Sequence, residues 1–237
     1  MSELTVKDYV FKKGAAKRIP VSGTFELTSR CNFRCTMCYV RLNPEEAARQ
    51  GKLLPADQWI EIARQAKDLG VLYLTLTGGE PLLQPDIADF IHRVRAHGYA
   101  VKLDTNGSFP EKLAALIDEG LLDYIAMDIK NAPAKYEETA GSKGILEKVQ
   151  ASVALLLTNK VDYEFRTTVT AQLHNEDSFA DIALWLRGAK QFAIQNFRDS
   201  GDILSPGLSP CSPDQLRRFE SILRPHMDSV LLRGDLT

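Results

Sequence analysis

Between Thr24 and Phe197 the chain alternates short apolar runs with longer segments of helical periodicity, and this alternation limits the folds open to it. Thr24 to Leu27 reads as a strand, because Phe25 and Leu27 alternate with polar neighbours and Pro20 and Gly23 punctuate what precedes them. Pro55 then opens a segment that places Trp59, Ile62, Ala63 and Ala66 on one helical face, and Gly70 ends it. The pattern continues with a strand over Val71–Leu76, a helix near Asp86–Ala96, a strand over Ala100–Leu103, a helix over Pro110–Glu119 and a strand over Tyr124–Ile129. A helix around Leu146–Leu157, a strand over Tyr163–Val169, a helix around Asp177–Leu186, a strand over Phe192–Phe197 and a last helix from Pro213 complete six strand-helix units. Strands that alternate with helices pair in parallel through right-handed crossovers, giving an α/β fold that is either an open doubly wound sheet or a barrel. In both, the loops after the C-terminal ends of the strands build the site.

A length of 237 residues, 44% hydrophobic and 25% charged, suits one domain. The expectation is a single domain over 1–237 with its core at about 20–200, followed by a surface loop around Ser205–Pro210 and a C-terminal helix. Twenty-nine basic and 31 acidic residues give a net charge of -2, so no phosphate-binding stripe for nucleic acid is expected. Lys12, Lys13, Lys17 and Arg18 form a local basic stretch, read as a solvated N-terminal segment, with an acidic partner as the alternative. No apolar h-region follows a basic start, and the longest aliphatic run, Val153 to Leu157, is too short to cross a bilayer; the expectation is a cytoplasmic protein without a membrane partner.

Cys31, Cys35 and Cys38 have the spacing C-x3-C-x2-C on the loop after the first strand. Three thiols within one tight loop cannot frame a disulfide scaffold for a chain of this size and point instead to metal. Thiolates are the usual ligands of iron-sulfur clusters, and a cubane has four positions to fill, so three cysteines leave one iron open to a small molecule. The alternatives are a structural zinc site that recruits Cys211 or one of His92, His97, His174 and His226, and a redox role for the trio. Cys211, alone in a Pro-rich loop, reads as a free thiol.

With Gly78, Gly79, Glu80 and Pro81 after the second strand, the cysteine spacing resembles the radical S-adenosylmethionine (SAM) superfamily. The resemblance extends from about Thr24 to Phe197 and implies a partial (β/α)6 barrel, a 4Fe-4S cluster on Cys31, Cys35 and Cys38, and SAM chelating the open iron. It also implies that Gly78, Gly79 and Glu80 bind the methionyl ammonium, which suits glycines that admit close backbone approach and a carboxylate that accepts a charge-assisted hydrogen bond.

The stretches Val101–Gly107, Asp123–Lys130 and Asp162–Val169 resemble a narrower group, the activating enzymes of glycyl-radical proteins, above all those of anaerobic (class III) ribonucleotide reductase. That likeness implies that Lys130 and Arg166 lie at the SAM carboxylate, two cations facing an anion; the alternative for Asp128 and Lys130 is a strand-end ion pair. It places Asn106 among the cofactor-binding residues, adenine near Met37, Tyr39 and Val169, and ribose near Gln195 and Asn196. Asp104 and Asp128 would share a monovalent cation with backbone oxygens of Thr105 and Ala126. The activators generally carry an aromatic residue before the third cysteine and a histidine after it, where this chain has Met37 and Tyr39. Residues Phe25 to Leu54 instead resemble peptide-modifying radical SAM maturases, although only Cys211 remains after Cys38 for an auxiliary cluster.

The activity implied is anaerobic oxidoreductase chemistry. One electron reduces SAM to methionine and a 5'-deoxyadenosyl radical, which takes hydrogen from a glycine Cα of a glycyl-radical enzyme, with flavodoxin or ferredoxin as electron donor. No side chain is required as a general base. A maturase of a peptide or small molecule is the alternative within this chemistry, and a non-catalytic iron-sulfur scaffold or electron carrier the alternative outside it.

Overall fold

The computed structural model describes residues 6–38, 40, 45, 49, 53–199 and 206–234. Seven strands form one sheet: β1 (Ser22–Thr28), β2 (Tyr73–Gly78), β3 (Ala100–Thr105), β4 (Tyr124–Asp128), β5 (Asp162–Val169), β6 (Gln191–Asn196) and β7 (Ser229–Arg233). They lie in the order of the chain and every neighbouring pair is parallel, with β1 and β7 as the two edges of an open, partial barrel. The helices among the described residues are α1 (Val6–Lys17), α2 (Ala56–Asp68), α3 (Ile87–Ala96), α4 (Pro110–Asp118), α5 (Tyr136–Ala140), α6 (Leu146–Leu157), α7 (Glu176–Trp185) and α8 (Pro213–Leu223).

Parallel register makes the two faces of the sheet chemically distinct. Leu76, Leu103, Ile125 and Tyr163 are register partners across β2 to β5, and all are buried against the helices. One residue on, Asp104 pairs with Ala126, which pairs in turn with Glu164, and further along Asp128 pairs with Arg166, so the opposite face is lined with charge. A side-chain period of two makes these sets mutually exclusive. The first six strands coincide with the predicted ones to within two residues, and α8 begins at Pro213 behind a Ser212–Gln215 capping box.

Two elements differ from the sequence expectation. The basic N-terminal stretch is exposed as expected, but Lys12, Lys13 and Lys17 lie on an unanticipated helix, α1, whose Phe11 ring lies 5.7 Å from that of Tyr73. The C-terminal segment does not stop at its helix: β7 follows and pairs with β6. Its anchor is Glu164, buried on β5, which accepts from Arg233 Nη1 at 3.0 Å and Nη2 at 2.6 Å and from Gln191 Nε2 at 2.9 Å. A buried carboxylate needs such partners, and β7 supplies the guanidinium.

Candidate active site

A cavity of about 440 Å³ opens at the C-terminal end of the sheet, within the range of small-molecule sites. Cys31, Cys35, Met37 and Cys38 line one side, Gly78 and Gly79 the base, and Asp104, Asn106, Asp128, Lys130, Arg166, Gln195 and Asn196 the strand ends. Twelve chemically committed side chains and glycines from six strand-end loops thus reach one space, counting Met37 aside. Tyr39 lies outside the described residues.

The cysteine loop is clamped from the far side of the barrel. Arg34 N–H donates to Ala140 O at 2.8 Å, Ser142 Oγ donates to Asn32 O at 2.8 Å, and Cys35 Sγ lies 3.8 Å from Ala140 O. Gly141, with φ of +61°, ends α5 there, and a Cβ on it would stand 2.5 Å from Arg34 O. On the near side, Gly79 N–H donates to Thr28 O and Glu80 N–H to Arg30 O, so the end of β2 lies against the stem of the cysteine loop. A Cβ on Gly79 would fall 2.1 Å from Arg30 O. The two glycines are therefore required by this chain's own backbone.

Glu80 lies behind the cavity wall and not on it, a correction to its expected place as a direct ligand contact. It is fully buried; Oε1 accepts from Leu82 N–H at 3.0 Å and Thr105 Oγ1 at 2.9 Å, and Oε2 from Asn106 N–H at 2.7 Å. Burial outweighs these bonds and pushes its pKa up to about 7. Burial also pushes the Cys31 thiol up to about 11 and raises that of Cys35. Coordination by a metal would reverse the preference, since ligation deprotonates a thiol.

The charged residues pair among themselves. Arg166 Nε donates to Asp128 Oδ1, Arg166 Nη1 to Asp104 Oδ2 at 3.0 Å, and Lys130 Nζ to Asp128 Oδ2 at 2.8 Å. Burial alone would raise the pKa of Asp128, but Arg166 and Lys130 outweigh it and hold the carboxyl below the usual carboxylate range. The place between Asp104 and Asp128, expected to take a monovalent cation, is bridged by the Arg166 guanidinium. Asp104 Oδ1 has Lys102 Nζ at 3.2 Å without hydrogen-bond alignment. The strand-end ion pair of Asp128 and Lys130 is present, and Arg166 joins it.

Three consecutive carbonyls hold this segment. Tyr136 Oη donates to Asp128 O at 3.2 Å and Thr167 Oγ1 to Ile129 O at 2.7 Å, while His174 Nε2 lies 3.0 Å from Lys130 O. His174 Nδ1 accepts from Thr170 N–H, which makes Nε2 the protonated nitrogen, and burial lowers the pKa of the ring.

Two expected contacts move. Val169 is fully buried and does not line the cavity; Thr168 does. Arg166 faces the cavity, so Thr168, two residues on, shares its side and Val169 faces the helices. Asn196 lines the cavity, but its amide is reciprocally bonded to the Cys211 backbone, donating to Cys211 O at 3.1 Å and accepting from Cys211 N–H at 2.9 Å. Gln195 is the neighbour left for a ligand. Phe33, Thr77, Phe197 and Arg198 also line the cavity and were not anticipated.

A model of the radical SAM superfamily matches residues 25–186, which spans the cysteine loop, the Gly78–Glu80 turn and the charged strand ends. The chain belongs to that superfamily. As a radical SAM protein it is an enzyme whose family cofactors are SAM and a 4Fe-4S cluster. The donor set fits both: three thiols on one wall of a cavity large enough for SAM, with cations opposite. Among the described residues no three His, Cys, Asp or Glu side chains converge on a single-ion position. Cubane ligands bind separate irons and need not converge. No helix among the described residues is long and apolar enough to cross a membrane.

A protein of Methanocaldococcus jannaschii, named as a candidate glycyl-radical enzyme activating enzyme, is 28% identical over 213 residues, covering 86% of this chain and 85% of its own length. The PqqA peptide cyclase of Streptomyces rochei is 34% identical over 139 residues, and that of Methylorubrum populi 30% over 224. These matches take in 57% and 92% of this chain, but the chain spans only 37% and 56% of the two cyclases. Streptococcus suis SuiB bound to its precursor peptide shares the fold with a TM-score of 0.72 at 16% identity, over 94% of this chain and 52% of SuiB.

Proposed function

We propose that this radical SAM enzyme is a glycyl-radical-enzyme activating enzyme whose partner is an anaerobic ribonucleotide reductase. The observation that carries the proposal is the match to the M. jannaschii protein across nearly the whole of both chains. In this reading Cys31, Cys35 and Cys38 hold the cluster, and the Gly78–Gly79 backbone receives the methionyl ammonium, with Glu80 fixing that turn from behind. Lys130 and Arg166, aligned by Asp128 and Asp104, face the carboxylate of SAM. Met37 and Thr168 flank the adenine and Gln195 the ribose. When bound, the cluster supplies the electron that cleaves SAM to methionine and the hydrogen-abstracting 5'-deoxyadenosyl radical. The protein binds, orients and shields. The partner presents a glycine Cα–H on a loop entering the open side of the barrel, and flavodoxin or ferredoxin delivers the electron.

A second reading, a peptide maturase, is favoured by the 34% and 30% identity to peptide cyclases. Both readings give the cavity a polypeptide substrate. The test is anaerobic: the reconstituted protein, dithionite and SAM are incubated with the cognate reductase, 5'-deoxyadenosine is quantified, and the radical is recorded by electron paramagnetic resonance (EPR). A glycyl doublet that is lost in Cys35→Ala supports activation. Cysteine-dependent 5'-deoxyadenosine with no doublet would reject the activator and leave the maturase.

A further inference from the structure

Asn106 is more than a wall of the cavity. Its side-chain Nδ2 lies 3.6 Å from Cys31 Sγ, in donor geometry, and 3.0 Å from Asn32 Oδ1. The direction of this amide is fixed by its surroundings. Asn106 Oδ1 accepts from Ser108 N–H at 2.9 Å and Ser108 Oγ at 2.6 Å, so a flipped amide would set donor against donor. Ser108 Oγ in turn accepts from Asn32 Nδ2 at 2.9 Å, which closes a directed ring of Asn106, Asn32 and Ser108. The backbone of Asn106 is anchored separately, its N–H donating to buried Glu80. The residue as a whole is buried at the cavity wall.

We infer that Asn106 donates an N–H···S hydrogen bond to the Cys31 thiolate and thereby raises the reduction potential of the cluster, making it easier to reduce. Hydrogen bonds to the sulfurs are among the quantities that set the potential of an iron-sulfur centre, because they stabilise the extra negative charge of the reduced state. The inference rests on the reading that Cys31 is a cluster ligand. Asn106 is then a positioning and tuning residue. Among the hydrogen bonds to the three cysteine sulfurs seen here, it is a side-chain donor from another strand-end loop, whereas Phe33 N–H, 3.4 Å from Cys31 Sγ, belongs to the cysteine loop itself.

The experiment is an EPR-monitored redox titration of the reconstituted protein without SAM, with iron content measured in parallel. Asn106→Leu removes the donor, Asn106→Asp replaces it with an acceptor, and Asn32→Ala opens the ring while leaving Asn106 held by Ser108 and Glu80. Both Asn106 variants are expected to titrate at more negative potential, with at least a tenfold lower reduced-to-oxidised ratio at the wild-type midpoint; a tenfold change corresponds to about 59 mV for one electron. Asn32→Ala keeps the wild-type midpoint. Unchanged midpoints in Asn106 variants that carry full iron, or an equal shift in Asn32→Ala, overturn the inference. If the Asn106 variants fail to hold iron, pulsed EPR of the reduced wild-type protein with 15N-labelled asparagine decides: an asparagine nitrogen coupled to the cluster supports the hydrogen bond, and its absence overturns it. A wild-type protein that binds no 4Fe-4S cluster overturns the ligand assignment, and the inference with it.

Discussion

Glu80→Gln isolates the electrostatic consequence of burying one carboxyl group behind the cavity. The folded protein holds Glu80 at a pKa of about 7, against an ordinary value of 4.5, because desolvation exceeds the combined effect of three hydrogen bonds. A folded-state pKa above the unfolded one means that the folded protein binds the proton more tightly. The associated stability is fully present below pH 4.5 and is lost as pH rises through 7. The size of the loss follows from the shift, about 3 kcal/mol at 1.36 kcal/mol per unit. Glutamine cannot titrate, so this dependence should vanish in the variant. It carries a different, pH-independent cost: its amide nitrogen must face one of the donors Leu82 N–H, Thr105 Oγ1 or Asn106 N–H, a mismatch of about 1–3 kcal/mol.

The assay is urea denaturation of the metal-free protein, wild type and Glu80→Gln, at intervals from pH 4.5 to 8. The difference between the two proteins cancels groups that titrate alike in both, and the Cys31 and Cys211 thiols, each pushed up to about 11 by burial, stay out of the window. The advantage of wild type over variant should be largest at the acid end and fall by about 3 kcal/mol across the window. Parallel curves, separated by a constant offset, would refute the claim that Glu80 is an ionisable group held out of water.

Gly141→Ala combines a left-handed backbone, costing about 1–2 kcal/mol, with a Cβ placed 2.5 Å from Arg34 O; iron per chain after reconstitution should fall well below wild type while the circular dichroism spectrum is kept. Arg233→Met leaves Glu164 with Gln191 and the more distant Lys102, and since Arg233 is itself partly exposed the loss should be about 2 kcal/mol in urea denaturation; Glu164→Gln in the same chain should recover part of it. Thr168→Phe should fill the cavity and raise the Kd for SAM at least tenfold by equilibrium dialysis, whereas Val169→Ala should cost about 2 kcal/mol of stability and leave that Kd unchanged.

The sequence carries the barrel because its strands and helices differ in period, and Pro55, Gly70, Pro110 and Pro213 mark the boundaries chemically. β7 escapes this reading: a five-residue strand with three apolar residues, Val230 to Leu232, has too little length to declare a period, and what fixes it is Glu164, sixty-nine residues from Arg233. The site divides along the same line. Cysteine spacing and the Gly78–Gly79–Glu80 turn are local and legible, as are the charged residues at the strand ends. Which atoms those groups contact is decided by register and burial. The parity of β5 could have separated Thr168 from Val169 once Arg166 was taken as facing the site. No comparable rule predicts that the Glu80 carboxylate serves Leu82, Thr105 and Asn106, or that Asn196 binds the backbone of Cys211, because those partners come together only when separate strand-end loops pack. The same packing explains why the glycines at 78, 79 and 141 are constrained before any cofactor enters: each lies against backbone of the cysteine loop or its stem, so the chain positions its three thiols with contacts of its own.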